Sequence, residues 1–464
     1  MKLKRIAFGS LTLALLACNF VTRMVVPPTA TPTFTPTATA TATASPTPTL
    51  TPTPLVPALI PPECAAVPLA TLSPDLAAQP TPDIEIVEIS MEDQLRILSE
   101  LGQIIEEVYV YPDFNGRDWN EIQARYRARI EAGLDTKSFY SEISAMIEEL
   151  GDEHSFYLSP VDVQQSEIEL RGESEFVGIG AVVQFDPDKA ALIVISTFPG
   201  SPAEYAGIQS HDSILFVDGE PIGDDTINPI RGPQCSALVL TVQSPGEAPR
   251  DVVLLRYLVR GNPPIDARMV STADGSKIGY IFIPSFYDEK LPGQIENALN
   301  QFGPLDGLIL DVRMNGGGAS SVAYPILEFF VNGRMGDFVS RRESRPLDIR
   351  ANEIQNSQSV PLVVLVSEDT ASFAEIFAGL LRDVRGASIV GETSPGNVEV
   401  MHGFGFNDGS QAWIAVETFD SAFSDTNWEE TGIVPDVHAF ADWDTFYFET
   451  DPSLAAALDL LGHR

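Results

Sequence analysis

A long stretch of low complexity restricts where this chain can fold. From about residue 19 to residue 82 the sequence is mainly Thr, Pro and Ala with almost no charge, and it holds 15 of the 36 prolines. Such a composition cannot bury a hydrophobic core, and proline favours the extended polyproline II conformation. We therefore predict a disordered linker at 19–82 and place the folded domains of this 464-residue chain after it.

The segment ahead of the linker has the layout of an export signal. Three cations in MKLKR precede the apolar run IAFGSLTLALLA, which is too short to span a bilayer. The run ends in LLAC, which resembles the lipobox of bacterial lipoproteins. The resemblance implies a signal peptide and lipobox at 1–18, lipid modification of Cys18, and an extracytoplasmic protein anchored to the bacterial cell membrane. An ordinary signal peptide with an incidental cysteine is the alternative.

The net charge and the cysteine content indicate which classes of partner are disfavoured and in which redox compartment the protein resides. The 28 Lys and Arg against 65 Asp and Glu give a net charge of −37, which disfavours nucleic-acid binding. After Cys18 only Cys64 and Cys235 remain, and an exported protein meets an oxidising compartment. A disulfide between them is one interpretation, and two unrelated buried thiols are the other.

Hydrophobic periodicity divides the rest of the chain into three regions. Residues 92 to about 150 carry a helical apolar period, and 166 to 262 contain short β-type runs separated by Gly and Pro. From 263 to 445 apolar strands alternate with helices, a pattern typical of an α/β core. Functional groups in such cores gather where strands end and helices begin.

The β-type region contains two motifs that resemble a PDZ domain. They are VGIG at Val177–Gly180 and SPAEYAGIQSHDSILFVDGEPI at Ser201–Ile222, in which His211 lies in a turn and is expected at the surface. The resemblance implies that a glycine loop captures the carboxylate of a peptide or protein C-terminal tail while the tail adds a strand to the sheet. The peptide-binding residues would be Val177, Gly178, Ile179 and Gly180.

Ser372 is the candidate nucleophile. The apolar run PLVVLVSE leads into Asp369-Thr370-Ala371-Ser372, and helical spacing of apolar residues follows, so Ser372 begins a helix. There its hydroxyl can meet a substrate carbonyl while the N–H of Phe373 points to the developing oxyanion. The alternative is that Ser372 only caps the helix.

A glycine loop is the candidate for the second oxyanion donor. Asp311-Val312-Arg313-Met314-Asn315-Gly316-Gly317-Gly318 follows another apolar strand, and glycines there let the backbone approach a ligand closely. Gly317 and Gly318 are the expected donors. The alternative is a flexible glycine turn.

These segments, together with GETSPGN from Gly391 and EETGIVPD from Glu429, resemble the C-terminal-processing (tail-specific) serine peptidases, whose relatives include the tricorn core protease. The resemblance implies a multidomain α/β protein with a helical N-terminal domain, a PDZ-like β-rich domain and a ClpP/crotonase-like protease core. Ser372 matches the family nucleophile, and Glu375 matches its acidic position one turn later. The predicted divisions are 83–165 for the helical domain, 166–262 for the PDZ-like domain, 263–445 for the peptidase core and 446–464 for a C-terminal tail.

The general base departs from the best-known family pattern. Asn397 and Met401 stand where those enzymes have lysine and glutamine, so the serine/lysine dyad is missing. The tricorn branch implies instead that His154, within Asp152-Glu153-His154-Ser155, is the base and that Glu429 completes the constellation. His402 is the alternative base. Ser155, Glu375, Asn397 and His402 are predicted to line the site.

Two functions from different classes remain open at this point. The favoured one is a membrane-anchored serine endopeptidase that cleaves proteins or peptides held by the PDZ-like domain, and the alternative is an inactive, peptide-binding pseudo-protease. A structural His154 and a merely solvated Glu429 would fit the second. The sequence contains no metal-ligand spacing and no nucleotide loop, so we expect neither a metal nor another cofactor.

Overall fold

The computed structural model describes Cys64 and residues 87–152, 154–223 and 230–462. The predicted signal peptide, Cys18 and the linker apart from Cys64 lie outside these residues, as does Glu153. In the part of the chain that the structure covers, no helix combines the length and apolarity needed to cross a bilayer.

The first region is a set of helices closed by a short strand. It contains α1 Met91–Val108, α2 Trp119–Glu131, α3 Thr136–Glu148, β1 Phe156–Leu158 and α4 Pro160–Leu170. The first three helices begin at Ser90, Asp118 and Asp135, whose side chains each accept a hydrogen bond from the backbone N–H three residues later. These caps satisfy N–H groups that have no partner within the helix.

The helical region does not have a core of its own. Its apolar faces pack around Phe406, Ala412 and Ile414, which belong to the peptidase region. Strand β1 likewise pairs with a strand of that region, with Phe156 opposite Trp413. The predicted division at 83–165 therefore separates parts that share one hydrophobic core.

The middle region is built almost entirely of strands. Its elements are β2 Glu175–Gly178, β3 Ala181–Asp186, β4 Ala191–Thr197, α5 Pro202–Tyr205, β5 Ser213–Val217, β6 Glu220–Pro221, β7 Ala237–Gln243, β8 Arg250–Leu255 and β9 Tyr257–Arg260. Strands β3-β4-β5-β7-β8 form one antiparallel sheet in that order, with β6 attached to β5, and β2 pairs with β9. Strand β3 is an edge strand of its sheet.

A disulfide joins the linker region to this middle region. Cys64 and Cys235 are bonded across a sequence separation of 171 residues. The predicted pairing is thus confirmed, and the alternative of two unrelated thiols is wrong.

The peptidase region consists of two sheets and the helices between and around them. Its elements are β10 Ala267–Val270, β11 Ile278–Phe282, α6 Leu291–Phe302, β12 Gly307–Asp311, α7 Ser320–Leu327, β13 Gly333–Ser340, β14 Ser344–Ile349, β15 Leu362–Val366, α8 Phe373–Arg385, β16 Ser388–Gly391, β17 Val400–Gly405, β18 Gln411–Ser421, α9 Trp428–Thr431, β19 Val437–His438 and α10 Pro452–Leu460.

The first of the two sheets determines where the site forms. Its order is β10-β11-β12-β15-β16-β19, and all neighbours except β10 and β11 run parallel. Strands β12 and β15 are buried along their full length, as apolar parallel strands covered on both faces must be. Because they are parallel neighbours, the loops that follow them emerge at the same edge of the sheet.

The second sheet brings the helical region to the core. Its order is β1-β18-β13-β14, with β17 also paired to β18. Strand β17 pairs along one edge of β18, opposite residues 411–417, while β1 from the helical region and β13 follow each other along the other edge, opposite residues 411–413 and 417–421.

The end of the chain differs from the predicted tail at 446–464. Helix α10 packs against the parallel sheet, with Leu454 and Ala457 buried. Ahead of it, Trp443 stacks on His211 of the middle region at 4.4 Å between ring centroids, and the Trp443 carbonyl lies 2.6 Å from His211 Nδ1. His211 is therefore buried rather than at the surface, because the chain end covers it.

Candidate active site

Ser372 stands where a buried parallel strand gives way to a helix. Strand β15 ends at Val366, and α8 begins at Phe373 with Ser372 as its N-terminal flanking residue. Ser372 has φ 55° and ψ −128°, an uncommon backbone conformation for a residue with a side chain. It is partly exposed, whereas both neighbours are buried. The predicted helix start is confirmed, and the hydroxyl is accessible beside the helix N-terminus.

The turn before Ser372 is fastened to the loop after β12. The Ser367 N–H donates to Thr370 Oγ1 at 2.9 Å, and the Thr370 hydroxyl donates to the Val312 carbonyl at 2.9 Å. The Ala371 N–H donates to the Asn315 carbonyl at 3.0 Å. These bonds fix the position of the Ser372 backbone relative to the glycine loop.

Asn315 is the centre of the glycine loop. Its fully buried side chain accepts the Gly317 N–H at 2.9 Å and donates to the Ile283 carbonyl at 3.1 Å. Gly317 has φ +99°, and a Cβ there would lie 2.7 Å from Ser372 Cβ. Only glycine permits this close approach of the loop to the candidate nucleophile.

The structure changes the assignment of the oxyanion donors. The Gly317 N–H, predicted as a donor, is already taken by Asn315 Oδ1. Among the described residues the N–H groups of Gly318 and Phe373 have no hydrogen-bond partner. Gly318 and Phe373 therefore have the free donors, while Gly317 provides room for Ser372.

Glu375 ties Ser372 to the loop that follows β16. Its Oε2 accepts the N–H groups of Ser372 at 3.1 Å and Asn397 at 2.8 Å, and its Oε1 accepts the Ser394 hydroxyl at 2.6 Å and the Gly396 N–H at 2.8 Å. Burial raises the pKa of Glu375, although these four bonds favour its carboxylate. Glu375 is completely buried, so its place is beneath the site rather than on its lining.

His154 is buried at the junction of the helical region and the second sheet. Asp152 Oδ1 accepts the N–H groups of His154 at 3.0 Å and Ser155 at 2.8 Å, which shapes the turn. The side chain of His154 is 5% exposed, and its Nδ1 lies 2.6 Å from Glu399 Oε2. Neither ring nitrogen of His154 completes a hydrogen bond of good geometry among the described residues, so the approach of Nδ1 to Glu399 is a close contact, and Nε2 is buried without a partner. An imidazole with one nitrogen against a carboxylate and the other unpaired has the surroundings that a proton-transfer base requires.

The carboxylate in contact with His154 is Glu399 and not the predicted Glu429. Glu399 Oε1 accepts the Tyr111 hydroxyl at 2.7 Å, and its carboxyl group also contacts that of Glu429. Glu429 Oε2 in turn accepts the Val398 N–H at 2.7 Å. Glu429 is thus one carboxyl group further from the imidazole than the sequence interpretation required.

The two carboxyl groups have opposite pKa shifts. Burial, the hydrogen bond to Glu399 and the charge of Glu399 raise the pKa of Glu429 well above its usual range. Burial opposes ionisation of Glu399, but contact with His154 outweighs it and lowers the pKa of Glu399. Glu399 therefore carries the negative charge of the pair.

The remaining predicted residues have other surroundings. The Ser155 hydroxyl donates to Asp152 Oδ2 at 2.6 Å and accepts the Ala415 N–H at 3.0 Å, so it fastens β18 to the His154 turn. His402 Nε2 lies 3.1 Å from Glu417 Oε2, in a cluster that also includes Arg345. Its side chain is 43% exposed.

The glycine motif of the middle region has unpaired backbone donors. The Ile179 carbonyl accepts the Ala203 N–H at 3.0 Å, and the Gly180 carbonyl accepts the Phe198 N–H at 2.9 Å. For the N–H groups of Ile179 and Gly180, the described parts of the chain contain no acceptor. Val177 and Gly178 belong to β2 and pair with β9.

Two chains of contacts bring the predicted residues into one neighbourhood. Ser372 N and Asn397 N share Glu375 Oε2 at 3.1 and 2.8 Å, so they are at most about 6 Å apart. Glu399 follows Asn397 by two residues and contacts His154. No hydrogen bond joins Ser372 to His154, whose Nε2 is unpaired. Such contacts are often long before substrate binds.

Sequence reasoning missed Glu399, Tyr111 and Asn315 as parts of this site. Asn315 had a signal, since it directly precedes the glycines. Glu399 is a single charged residue between Val398 and Val400, where an apolar strand begins. Its isolation among apolar residues was the only sequence signal that it has a role in the site. Tyr111 gave none, because its contact with Glu399 spans 288 residues.

Comparison with known proteins assigns the chain to a family. Residues 277–439 match peptidase family S41, and 92–148 match the C1 domain of tricorn protease. The carboxyl-terminal-processing protease of Picosynechococcus sp. is 30% identical over 384 residues, covering 80% of this chain and 90% of that protein. The protein of the same name from Synechocystis sp. is 27% identical over 383 residues, with 80% and 88% covered.

The fold agrees with this assignment. The solved structure of a photosystem II D1 C-terminal processing protease matches with a TM-score of 0.52 and 23% identity, covering 80% of this chain and 97% of that one. The predicted resemblance is thereby confirmed. The chain belongs to peptidase family S41, the carboxyl-terminal-processing proteases, and is a serine-type peptidase.

Proposed function

We propose that this protein is an exported, lipid-anchored endopeptidase that holds the C-terminal tail of a protein or peptide in a PDZ-like domain and cleaves it with Ser372 as nucleophile and His154 as base. The observation that carries the proposal is the buried imidazole of His154, which has Glu399 at Nδ1 and an unpaired Nε2. It lies next to the loop that Glu375 ties to Ser372.

The chemistry follows from these positions. Ser372 Oγ attacks the carbonyl carbon of the peptide bond and passes its proton to His154 Nε2. The N–H groups of Gly318 and Phe373 stabilise the resulting oxyanion. The C–N bond then breaks, and His154 returns the proton to the leaving amine. Water, deprotonated by His154, releases the acid product and restores the Ser372 hydroxyl.

The middle region supplies the means of capture. The unpaired N–H groups of Ile179 and Gly180 suit a carboxylate acceptor, and β3, which begins at Ala181, is an edge strand able to take one more strand. This combination supports binding of a tail by its C-terminal carboxylate. The names of the relatives, carboxyl-terminal-processing proteases, agree with such substrates.

The export and anchoring proposal depends on the start of the chain. The LLAC motif supports lipid modification of Cys18, and the linker at 19–82 would hold the peptidase away from the membrane. The disulfide between Cys64 and Cys235 agrees with an oxidising compartment.

A fluorophosphonate probe tests the nucleophile and the base together. The full-length chain is treated with the probe, adducts are mapped by mass spectrometry, and hydrolysis of an unfolded protein is followed in parallel. We expect labelling at Ser372, no labelling in Ser372→Ala, and loss of at least about 10²-fold in labelling rate in His154→Ala. His438→Ala, a change at an exposed histidine on β19, is the matched control and should label as the wild type does.

The outcomes separate the alternatives. Labelling that persists in His154→Ala but disappears in His402→Ala would move the base to His402. Failure of the wild type to label, even with tail peptides present, together with binding of those peptides, would favour the peptide-binding pseudo-protease instead.

A further inference from the structure

We propose that Glu399 is the positioning residue for the His154 imidazole and that Glu399 and Glu429 act as a carboxyl pair holding one proton between them. This inference rests on the proposed role of His154 as base. In this arrangement Glu399 contacts the His154 imidazole directly, and Glu429 supports Glu399. Neither the sequence interpretation nor the comparisons point to Glu399.

One oxygen of Glu399 accepts a hydrogen bond, and the other is in close contact with His154 without a hydrogen bond of good geometry. Oε1 accepts the Tyr111 hydroxyl at 2.7 Å, and Oε2 lies 2.6 Å from His154 Nδ1. The Glu399 side chain is 2% exposed, so water does not compete for these contacts. A carboxylate held in this way keeps the imidazole ring in one orientation.

Glu429 is held against this pair from a different element. It lies in the short helix α9, and its Oε2 accepts the Val398 N–H at 2.7 Å. Because Val398 directly precedes Glu399, this bond holds the two carboxyl groups near each other, and the charge of Glu399 raises the pKa of Glu429. Neither Glu399 nor Glu429 forms an ion pair with a Lys or Arg in the described part of the chain, and His154 is the basic side chain in contact with Glu399.

Ionisation of both carboxyl groups is unfavourable, because Glu399 is buried, Glu429 is half-buried and like charges close together repel. A protonated Glu429 donates its hydrogen to Glu399 and leaves one negative charge on the pair. That charge accepts the Nδ1–H of His154, so the lone pair of the neutral imidazole resides on Nε2, the atom that must take the Ser372 proton. The pair therefore determines the tautomer in addition to the ring orientation.

Three Glu→Gln substitutions test this arrangement. Glu399→Gln removes the charge while preserving shape, Glu429→Gln keeps a neutral hydrogen-bond donor beside Glu399, and Glu430→Gln changes an exposed neighbour as the control. The full-length variants are compared by the rate of fluorophosphonate labelling of Ser372 and by the pH profile of kcat/KM on a tail peptide.

We expect Glu399→Gln to slow labelling by at least about 10²-fold, because the amide cannot hold the imidazolium that forms during attack. Glu429→Gln should lose less than Glu399→Gln. It should also lack the decline of kcat/KM at alkaline pH that ionisation of Glu429 produces in the wild type. Glu430→Gln should match the wild type in both measurements.

The result that overturns the inference is distinct from failure of the proposed function. If His154→Ala is inactive while Glu399→Gln keeps the wild-type rate and pH profile, His154 remains the base and Glu399 is not its positioning residue. If His154→Ala labels normally, the proposed base is wrong, whatever Glu399 does.

A direct measurement covers the case in which Glu399→Gln does not fold. Nitrogen-15 NMR of the wild type, with labelled histidine and His154 assigned by comparison with His154→Gln, reports which ring nitrogen carries the proton. We expect the Nδ1–H tautomer at neutral pH. An Nε2–H tautomer would overturn the inference without any variant of Glu399.

Discussion

The sharpest test of how the site is held together is Glu375→Gln. The substitution keeps the size of the side chain but replaces one oxygen with an NH₂ group. Each Glu375 oxygen accepts two hydrogen bonds, Oε2 from Ser372 and Asn397 and Oε1 from Ser394 and Gly396. Whichever way the amide turns, two donors lose their acceptor and meet another donor.

The magnitude follows from those two lost bonds. A hydrogen bond to a charged group contributes about 1.5–3 kcal/mol, so we expect the loss of two such bonds to lower the free energy of unfolding by about 3–6 kcal/mol. For a folding unit of this size that corresponds to a decrease in Tm of roughly 10 °C. Displacement of Ser372 by even part of an ångström should also reduce kcat/KM by about 10²-fold.

The assay is thermal and denaturant unfolding of the variant beside Glu430→Gln, an identical chemical change at an exposed position. Hydrolysis of a tail peptide is measured on the same samples. A Glu375→Gln protein that unfolds within about 0.5 kcal/mol of the wild type and keeps its kcat/KM would refute the view that this carboxylate joins the two loops.

Three further perturbations test other parts of the structure. Asn315→Ala should lower the unfolding free energy by about 2–4 kcal/mol and slow fluorophosphonate labelling at least tenfold, because the Gly317 N–H loses its acceptor; unchanged labelling would contradict this. Burial lowers the pKa of His211 from 6.5, so the folded state takes up fewer protons than the unfolded state below that pH. Stability should therefore fall as pH drops below about 6.5, and His211→Gln should flatten this part of the stability curve measured by denaturant titration. Replacing Cys64 and Cys235 by serine should destabilise the protein by up to about 5 kcal/mol, because the unfolded chain regains the entropy that the cross-link across 171 residues removes. Added reductant should then have no further effect on the Tm of this variant.

The position of Ser372, the proposed nucleophile, was predictable because it depends on residues that are adjacent in sequence. Strand β15 is an uninterrupted apolar run, and the periodicity after Ser372 changes to that of a helix. The position of the glycines after β12 was predictable for the same reason, because β12 and β15 are parallel neighbours and end at the same edge of the sheet. These are properties of adjacent residues, so a single sequence contains them.

The partner of His154 was not predictable for the opposite reason. His154, Glu399 and Tyr111 come from separate elements, and they meet only because β1 pairs with β18 and joins the helical region to the second sheet. Which of two nearby glutamates touches the imidazole depends on the direction of the loop before β17. Motif matching therefore predicted Glu429 as the partner of His154 but could not show that Glu399 lies between His154 and Glu429.

The chain end illustrates the same limit. Helix α10 is short, and its burial depends on a sheet assembled from strands far away in sequence. The contact of Trp443 with His211 joins residues 232 positions apart. Nothing in either segment alone indicates the other.

The docking of α10 has a consequence for an enzyme of a family named for processing carboxyl termini. Such an enzyme also meets other copies of itself. Here Leu454 and Ala457 are buried under the parallel sheet, and Asp451 just ahead of them pairs with Arg313. An extended strand, which cleavage requires, forms from this segment only after those contacts break. In a folded copy these contacts keep Pro452–Leu460 in a helix, whereas a copy in which α10 has come loose exposes this segment to a neighbouring copy.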